Sequence, residues 1–237
     1  DTPLTRKDLS NYYAEITYMD SLLGKTLNFI DEANKTNNTI SIFTSEQGYS
    51  FPFGKWTCYD LGLKTAFIAK WPGKIEPNTR NNATTQYVDI VPTLLDAIGE
   101  DPDKFNVGIS DNSGNNGFDG KSFLNALKGE TEKHRDFTYG VHTTRGIING
   151  SESYPIRSVR SDRYKYIQNL SHEKLFYNVV TAKEAGRPGY ILYESWLENA
   201  KNEEELSWVK HYKKRPSEEF YDLKSDPYEK NNLAQDP

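Results

Sequence analysis

The sequence predicts an α/β region followed by a smaller α+β region, and three observations carry that reading. Apolar residues recur at three- and four-residue steps from Asp8 to about Glu32, the period of an amphipathic helix. Two short, β-branched, apolar-rich runs and a second helical pattern come next, the makings of an α/β layer. Beyond a polar, glycine-rich stretch from Glu100 to Gly120 the pattern turns to closely spaced short strands.

Taken in order, the first helix is marked by Leu9, Tyr12, Tyr13, Ile16, Met19, Leu23, Leu27 and Ile30, and Asn34-Lys35-Thr36-Asn37-Asn38 breaks it. Thr39–Thr44 and Thr65–Lys70 then read as strands, the second closed by Trp71-Pro72-Gly73. Val88–Ile98 reads as a short helix, with Pro92 tolerable in its first turn and Gly99 as its stop. Asp111-Asn112-Ser113-Gly114-Asn115-Asn116-Gly117 marks the boundary or an exposed loop, which divides the chain into 1–110 and 111–237. After it, a short helix begins at Lys121, and strands are expected at Phe137–Val141, Ile156–Arg160 and Arg163–Ile167. Ser161-Asp162 suits a tight hairpin turn between the last two. Ile191–His211 reads as one charged helix, with Glu203-Glu204-Glu205 on its surface.

Composition narrows the function classes. The 237 residues suffice for one large domain or a medium and a small one. Only 35% are hydrophobic, a figure unchanged when the 16 Tyr are exchanged for the 16 Gly, against about 45–50% in ordinary soluble domains. Aromatics at 13% argue against disorder, so the deficit fits a piece of a larger protein whose remaining core lies elsewhere. A net charge of −5 supplies no cationic field for nucleic acid or an anionic membrane. No run approaches the ~18 apolar residues of a membrane span, and the first residues lack a signal-peptide core. The single Cys58 permits no internal disulfide and no cysteine zinc cluster. His134, His172 and His211 have no metal-like spacing and read as structural; sequons at Asn34, Asn37, Asn82, Asn149 and Asn169 are those an Asn-rich chain produces by chance.

The segment richest in chemistry runs from Ile42-Phe43-Thr44 through Ser45-Glu46-Gln47-Gly48 to Gly54-Lys55. Ligands of α/β sheets bind at the carboxyl ends of strands. Glu46 and Gln47 sit there as a carboxylate beside an amide oxygen, a pair suited to a hard cation such as calcium, and Lys55 can neutralise an anionic group. By spacing alone, the acidic residue also fits a helix cap or a solvated turn.

The ordered motifs Thr44-Ser45-Glu46-Gln47-Gly48, Gly54-Lys55-Trp56-Thr57-Cys58-Tyr59, Trp71-Pro72-Gly73, Val88-Asp89-Ile90-Val91-Pro92-Thr93-Leu94-Leu95, Asp119-Gly120-Lys121-Ser122 and Phe220-Tyr221-Asp222-Leu223 with Asp226-Pro227 resemble the sulfatases of the alkaline-phosphatase-like superfamily. The resemblance covers essentially the whole chain. Phe51-Pro52-Phe53, His142-Thr143-Thr144-Arg145-Gly146 and Tyr154–Arg160 are most similar to heparan N-sulfatase-like members. It implies the second half of an alkaline-phosphatase-like mixed-sheet domain in 1–110 and a small α+β subdomain with an antiparallel sheet in 111–237. It also implies Glu46 and Gln47 as calcium ligands, Lys55 as the lysine on the sulfate, and a periplasmic, secreted or lysosomal home. His142 and Arg145 are candidate substrate contacts that read equally as a surface hairpin. Arg157, Arg160 and Arg163 alternate with apolar residues and read as a solvated sheet face.

The family's formylglycine nucleophile comes from a Cys/Ser-x-Pro/Ala-x-Arg motif, and Cys58, followed by Tyr59-Asp60-Leu61-Gly62, does not match it. The resemblance therefore implies that the missing N-terminal half of the same protein supplies nucleophile, further calcium ligands and more sheet, and that this chain alone is inactive. The implied substrate is a sulfate ester or sulfamate on a glycosaminoglycan-type sugar. Two alternatives stay open: a phosphodiesterase or phosphonate hydrolase of the same superfamily, and a non-catalytic carbohydrate-binding or structural module.

Overall fold

Thr2 starts the longest element of the protein. In the computed structural model, which describes residues 1–143, 153–178, 180–181 and 188–235, helix α1 spans Pro3–Glu32. The helix begins five residues before the apolar periodicity does, because the Thr2 hydroxyl accepts from Thr5 N at 3.2 Å and Pro3 occupies the first turn, where its missing N–H costs nothing. Two four-residue strands, β1 (Ser41–Thr44) and β2 (Phe67–Lys70), form a two-stranded sheet, separated by the one-turn helix α2 (Asp60–Leu63). A 3-10 turn at Tyr87–Asp89 leads into α3 (Ile90–Ala97), and α4 (Leu124–Leu127) is a single turn.

The later strands pair as the hairpin reading expects. β3 (Thr138–His142), β4 (Ile156–Arg160), β5 (Tyr164–Asn169) and β6 (Glu218–Asp222) lie side by side in that order. β4 and β5 are antiparallel with Ile156 opposite Asn169 and Arg160 opposite Lys165, and β5 and β6 are antiparallel with Tyr164 opposite Asp222. Alternation puts Ile156, Ile167, Asn169, Glu219 and Tyr221 inside. Arg157 points outward, while Arg160 pairs with Asp60 at 3.2 Å and Arg163 with Asp222 at 2.7 Å. The stretch read as one helix is two, α5 (Pro188–Glu198) and α6 (Glu203–His211), because Asn202 caps the second by accepting from Glu205 N at 2.8 Å.

Chain contacts divide the protein into two compact units, each assembled from several stretches. The larger takes Asp1–Asn34, Thr44–Phe67 and Tyr139–Pro237. Its core is aromatic: Phe53, Tyr59, Tyr154, Phe176, Tyr212 and Tyr221 are all buried. Its polar centre is Glu219, fully buried, which accepts from Tyr59 Oη at 2.8 Å, Tyr221 Oη at 2.6 Å and Asn169 Nδ2 at 2.7 Å, with His211 Nε2 at 3.0 Å. Burial opposes the charge, but the bonds from His211 and Tyr221 and the field of Arg215 more than offset it, holding the carboxyl at about 2 against an ordinary 4.5. Close by, Lys165, also buried, reaches Asp60 at 2.9 Å and Glu229 at 3.2 Å, tying β5 to the start of α2. The Cys58 thiol is buried in the same core, and burial pushes its pKa up.

The smaller unit, Lys35–Phe43 with Ile68–Thr138, repeats the device with Asp89. This carboxylate is fully buried, receives a bidentate Arg135, the backbone N–H groups of Lys121 and Gln86 at 2.9 Å each, and has His134 Nε2 at 3.2 Å. Burial works against ionisation, and these donors bring the carboxyl to about 2. The polar loop beyond α3 is pinned at its neck by Val107 N donating to Asn116 O and Asp111 N donating to Asn115 O, both 2.8 Å, with the Phe105 and Phe118 rings 6.4 Å apart.

Neither unit covers all of its apolar surface. No residue of α1 is buried, and Tyr13, Tyr18 and Phe29 are more than half exposed. In the smaller unit, Val91 of α3 and Ile98, just past its end, stand open beside Trp71 and Ile40 along a groove of about 490 Å³. Among the described residues, no helix is long and apolar enough to cross a membrane.

A group whose folded pKa lies below its unfolded value contributes stability above the unfolded value and loses it as pH falls through the folded one. Glu219→Gln therefore removes stability at pH 7, by about 2–4 kcal/mol since it strands several buried donors. It also removes Glu219's share of the acid loss between 4.5 and about 2. Urea unfolding followed by tryptophan fluorescence at pH 7 and at pH 3 checks this: the gap between wild type and variant narrows at the lower pH.

Candidate active site

β1 ends at Thr44, and the chain turns at once through Ser45-Glu46-Gln47-Gly48. Ser45 N donates to Ala66 O at 3.2 Å and the Ser45 hydroxyl accepts from Ala66 N at 2.8 Å, so the turn leaves the strand end in a fixed direction. Gly48 N donates to Gly62 O at 3.1 Å, and a Cβ on Gly48 would stand 1.7 Å from Leu61 O. Only glycine permits so close an approach of the two backbones.

The next loop returns Lys55 to the strand end. Its ammonium lies 2.7 Å from Glu46 Oε2 and 5.1 Å from the Trp56 ring centroid. The lysine side chain is 19% exposed and the glutamate 71%, so the pair joins a sheltered cation to an open carboxylate. An exposed pair of this kind adds little to stability, and its interest lies in where it points its charges. Backbone bonds hold the loop: Lys55 N donates to Tyr49 O at 2.8 Å, and the Thr57 hydroxyl donates to Gly54 O at 2.7 Å.

Glu46 and Gln47 are oxygen donors adjacent in sequence at a strand end, with the carboxylate open to solvent, which suits a hard cation. Two donors remain well short of the six to eight that calcium takes, and no group of three or more His, Cys, Asp or Glu able to hold a metal occurs among the described residues. The residues fit as part of a site.

Of the residues singled out from the sequence, Glu46 and Lys55 meet directly, with Gln47 beside them in the chain. His142 lies elsewhere, at the end of β3. It is buried with its ring 5.8 Å from Phe176 and its Nε2 unpartnered among the described residues. Burial, with Arg215 nearby, lowers its pKa to about 4, so it is neutral at physiological pH. Arg145 lies outside the described residues. His134 and His211 each serve a buried carboxylate, in line with their structural reading. Sequence reasoning missed Glu219 and Trp208. The hint for Glu219 was an acidic residue at an inward position between alternating residues of β6. For Trp208 there was none, since its partner Phe53 is far away in sequence.

Comparison with known proteins bears on this geometry. Residues 2–100 match the family described as Sulfatase. The chain is 34% identical over 231 residues to an ulvan-active sulfatase of Formosa agariphila, covering 98% of this chain and 40% of that protein. It is 28% identical over 245 residues to N-sulphoglucosamine sulphohydrolase of Homo sapiens, covering 100% of this chain and 45% of that protein. A solved structure of a protein in complex with its substrate D-glucosamine-2-N,6-O-disulfate superposes with a TM-score of 0.60 at 21% identity, over 93% of this chain and 35% of that one. At that identity the likeness speaks to the fold alone. The chain thus spans less than half the length of these relatives and corresponds to their C-terminal part.

Gly48→Ala is expected to cost roughly 2–4 kcal/mol of stability, because one of two hydrogen-bonded backbones must move. The midpoint of urea unfolding should fall accordingly, and a variant as stable as the parent chain would show that the turn has room.

Proposed function

This chain belongs to the sulfatase family, and on that basis we propose that it is the C-terminal part of an enzyme hydrolysing sulfate esters or sulfamates on sulfated, glycosaminoglycan-type sugars. The observation that carries the reading is the Glu46–Lys55 pair: in the stretch that matches the family, the two groups of opposite charge converge at a strand end, within 2.7 Å. The short coverage of the relatives supports a partial chain, as do the bare apolar faces of α1 and α3. The remainder of the parent protein is the partner that covers them. Within the parent, 1–110 belongs to the catalytic α/β domain and 111–237 forms the C-terminal subdomain. The relatives' kind points to a location outside the cytosol: periplasmic, secreted or lysosomal.

Each residue then has a task. Glu46 and Gln47 present oxygens to a calcium ion whose other ligands come from the rest of the parent. Bound there, the ion supplies a dication against negative charge developing on sulfate oxygens. The Lys55 ammonium is a compact point charge suited to a sulfate oxygen. A formylglycine in the N-terminal half provides the nucleophile, so positioned charges on this chain alone yield no turnover. His142, neutral and buried with its Nε2 unpartnered among the described residues, and Arg145, by its bidentate fork, are the groups proposed to read the sugar.

Expression of the full-length parent tests the assignment. Sulfate release from a chromogenic aryl sulfate and from an N-sulfated disaccharide should require calcium. Lys55→Ala should retain metal while losing about 10²–10³ in rate, the scale of one charge-stabilising donor. Glu46→Ala should lose metal as well as rate. Full metal in Glu46→Ala together with full rate in Lys55→Ala would overturn both roles; release of the alcohol from a phosphonate monoester or a phosphodiester, with no release of sulfate from the sulfated substrates, would overturn the reaction class.

A further inference from the structure

The loop that carries Lys55 is held in a conformation its sequence does not favour. Phe53 and Trp56 have φ of 64° and 63°, in the left-handed region that non-glycine residues rarely enter, at a cost of about 1–3 kcal/mol each. Gly54 and Lys55 are suspended between these two points. Gly54 is itself hemmed in, since a Cβ there would stand 2.3 Å from Tyr49 O. Strain of this kind persists only where surrounding contacts over-determine it. At Phe53 those contacts are aromatic. Its ring is 4% exposed and stacks on Trp208 of α6, with centroids 4.2 Å apart and planes 10° off parallel, with Tyr212 edge-on at 5.0 Å and Tyr59 tilted at 5.5 Å. The Trp208 Nε1 is buried without a hydrogen-bond partner among the described residues. Leaving a buried donor unpaired is costly, so the indole is held there by ring packing and by Lys230, whose Nζ lies 5.2 Å from its ring centroid.

We propose that Trp208 is a positioning residue for Lys55, acting through Phe53: the indole clamps the Phe53 ring, the ring fixes the left-handed backbone, and the backbone sets where the ammonium stands. The clamp is supplied by α6, more than 150 residues along the chain from the loop it governs. The importance of Lys55 for turnover rests on the proposed sulfatase activity, but the mechanical link rests on the geometry alone. The two can therefore fail separately.

Acylation of lysines by N-hydroxysuccinimidyl acetate, mapped by mass spectrometry on the folded chain, reads the position of Lys55 without any activity. Exposed Lys224 is the internal reference. In Trp208→Leu the Lys55-to-Lys224 labelling ratio should rise roughly fivefold, the factor equivalent to about 1 kcal/mol of lost restraint. Trp208→Phe, which keeps a stacking ring, should restore it to within about twofold. Trp196→Phe, altering the neighbour that stacks on Trp208 from 6.3 Å and donates to Thr5 Oγ1, should leave it unchanged. Phe53→Leu is the second variant should Trp208→Leu not fold, and the same rise is expected. An unchanged ratio, or equal rises at Lys55 and Lys224, overturns the clamp. In the full-length parent, Trp208→Leu should lower kcat, with Trp208→Phe recovering it. A labelling ratio that rises while kcat stays level keeps the clamp and sinks the role of the lysine.

Discussion

The larger unit depends on one buried carboxylate. Glu219 draws donors from four places in the fold, two of them distant in sequence: Tyr59 beside the lysine loop and Asn169 at the end of β5, with Tyr221 on its own strand and His211 at the end of α6. A buried charge without such partners would be prohibitively costly, so all four must arrive together. The aromatic rings that carry two of the donors are also core residues, and satisfying the carboxylate is therefore the same event as packing the core. In this way the C-terminal sheet and α6 are brought up against the segment from Phe53 to Tyr59.

Asp89 solves the equivalent problem in the smaller unit with a guanidinium and backbone N–H groups in place of phenols. Both carboxylates compensate for a chain poor in aliphatic residues. With 35% hydrophobic residues, little of the cohesion can come from an oily interior, and polar networks of fixed geometry take over part of the task. Such networks fix the geometry of their partners by the direction of each hydrogen bond.

Elements with a local signature were legible in the sequence. The periodicity of α1, the β-branched runs of β1 and β2, and the hairpin at Ser161-Asp162 depend on neighbours within a few residues, and each lies close to where it was expected. The start of α1 was misplaced because Thr2 and Pro3 act through capping, which carries no hydrophobic period. The break between α5 and α6 was missed because charged residues on both sides of Asn202 share one helical pattern. At the site, Glu46 and Lys55 could be named from the order of motifs, whereas spacing alone left a cap or turn open. The left-handed backbone at Phe53 and Trp56 was invisible, since such conformations are ordinarily announced by glycine or asparagine. What enforces it is a ring contributed by a remote helix, and no local pattern encodes that.

The loop between Phe105 and Phe118 has a further property that follows from its neck. Its two ends are already joined by paired backbone hydrogen bonds and by facing rings, while the residues between them form hydrogen bonds mainly among themselves. Closing a longer loop across a fixed neck adds only about 0.6 kcal/mol for each doubling of length. The tip around Asn112-Ser113-Gly114 is thus a natural graft point, where an epitope, a fluorophore tag or an entire foreign domain can be spliced into the polypeptide while Asp89 and α3 stay where they are.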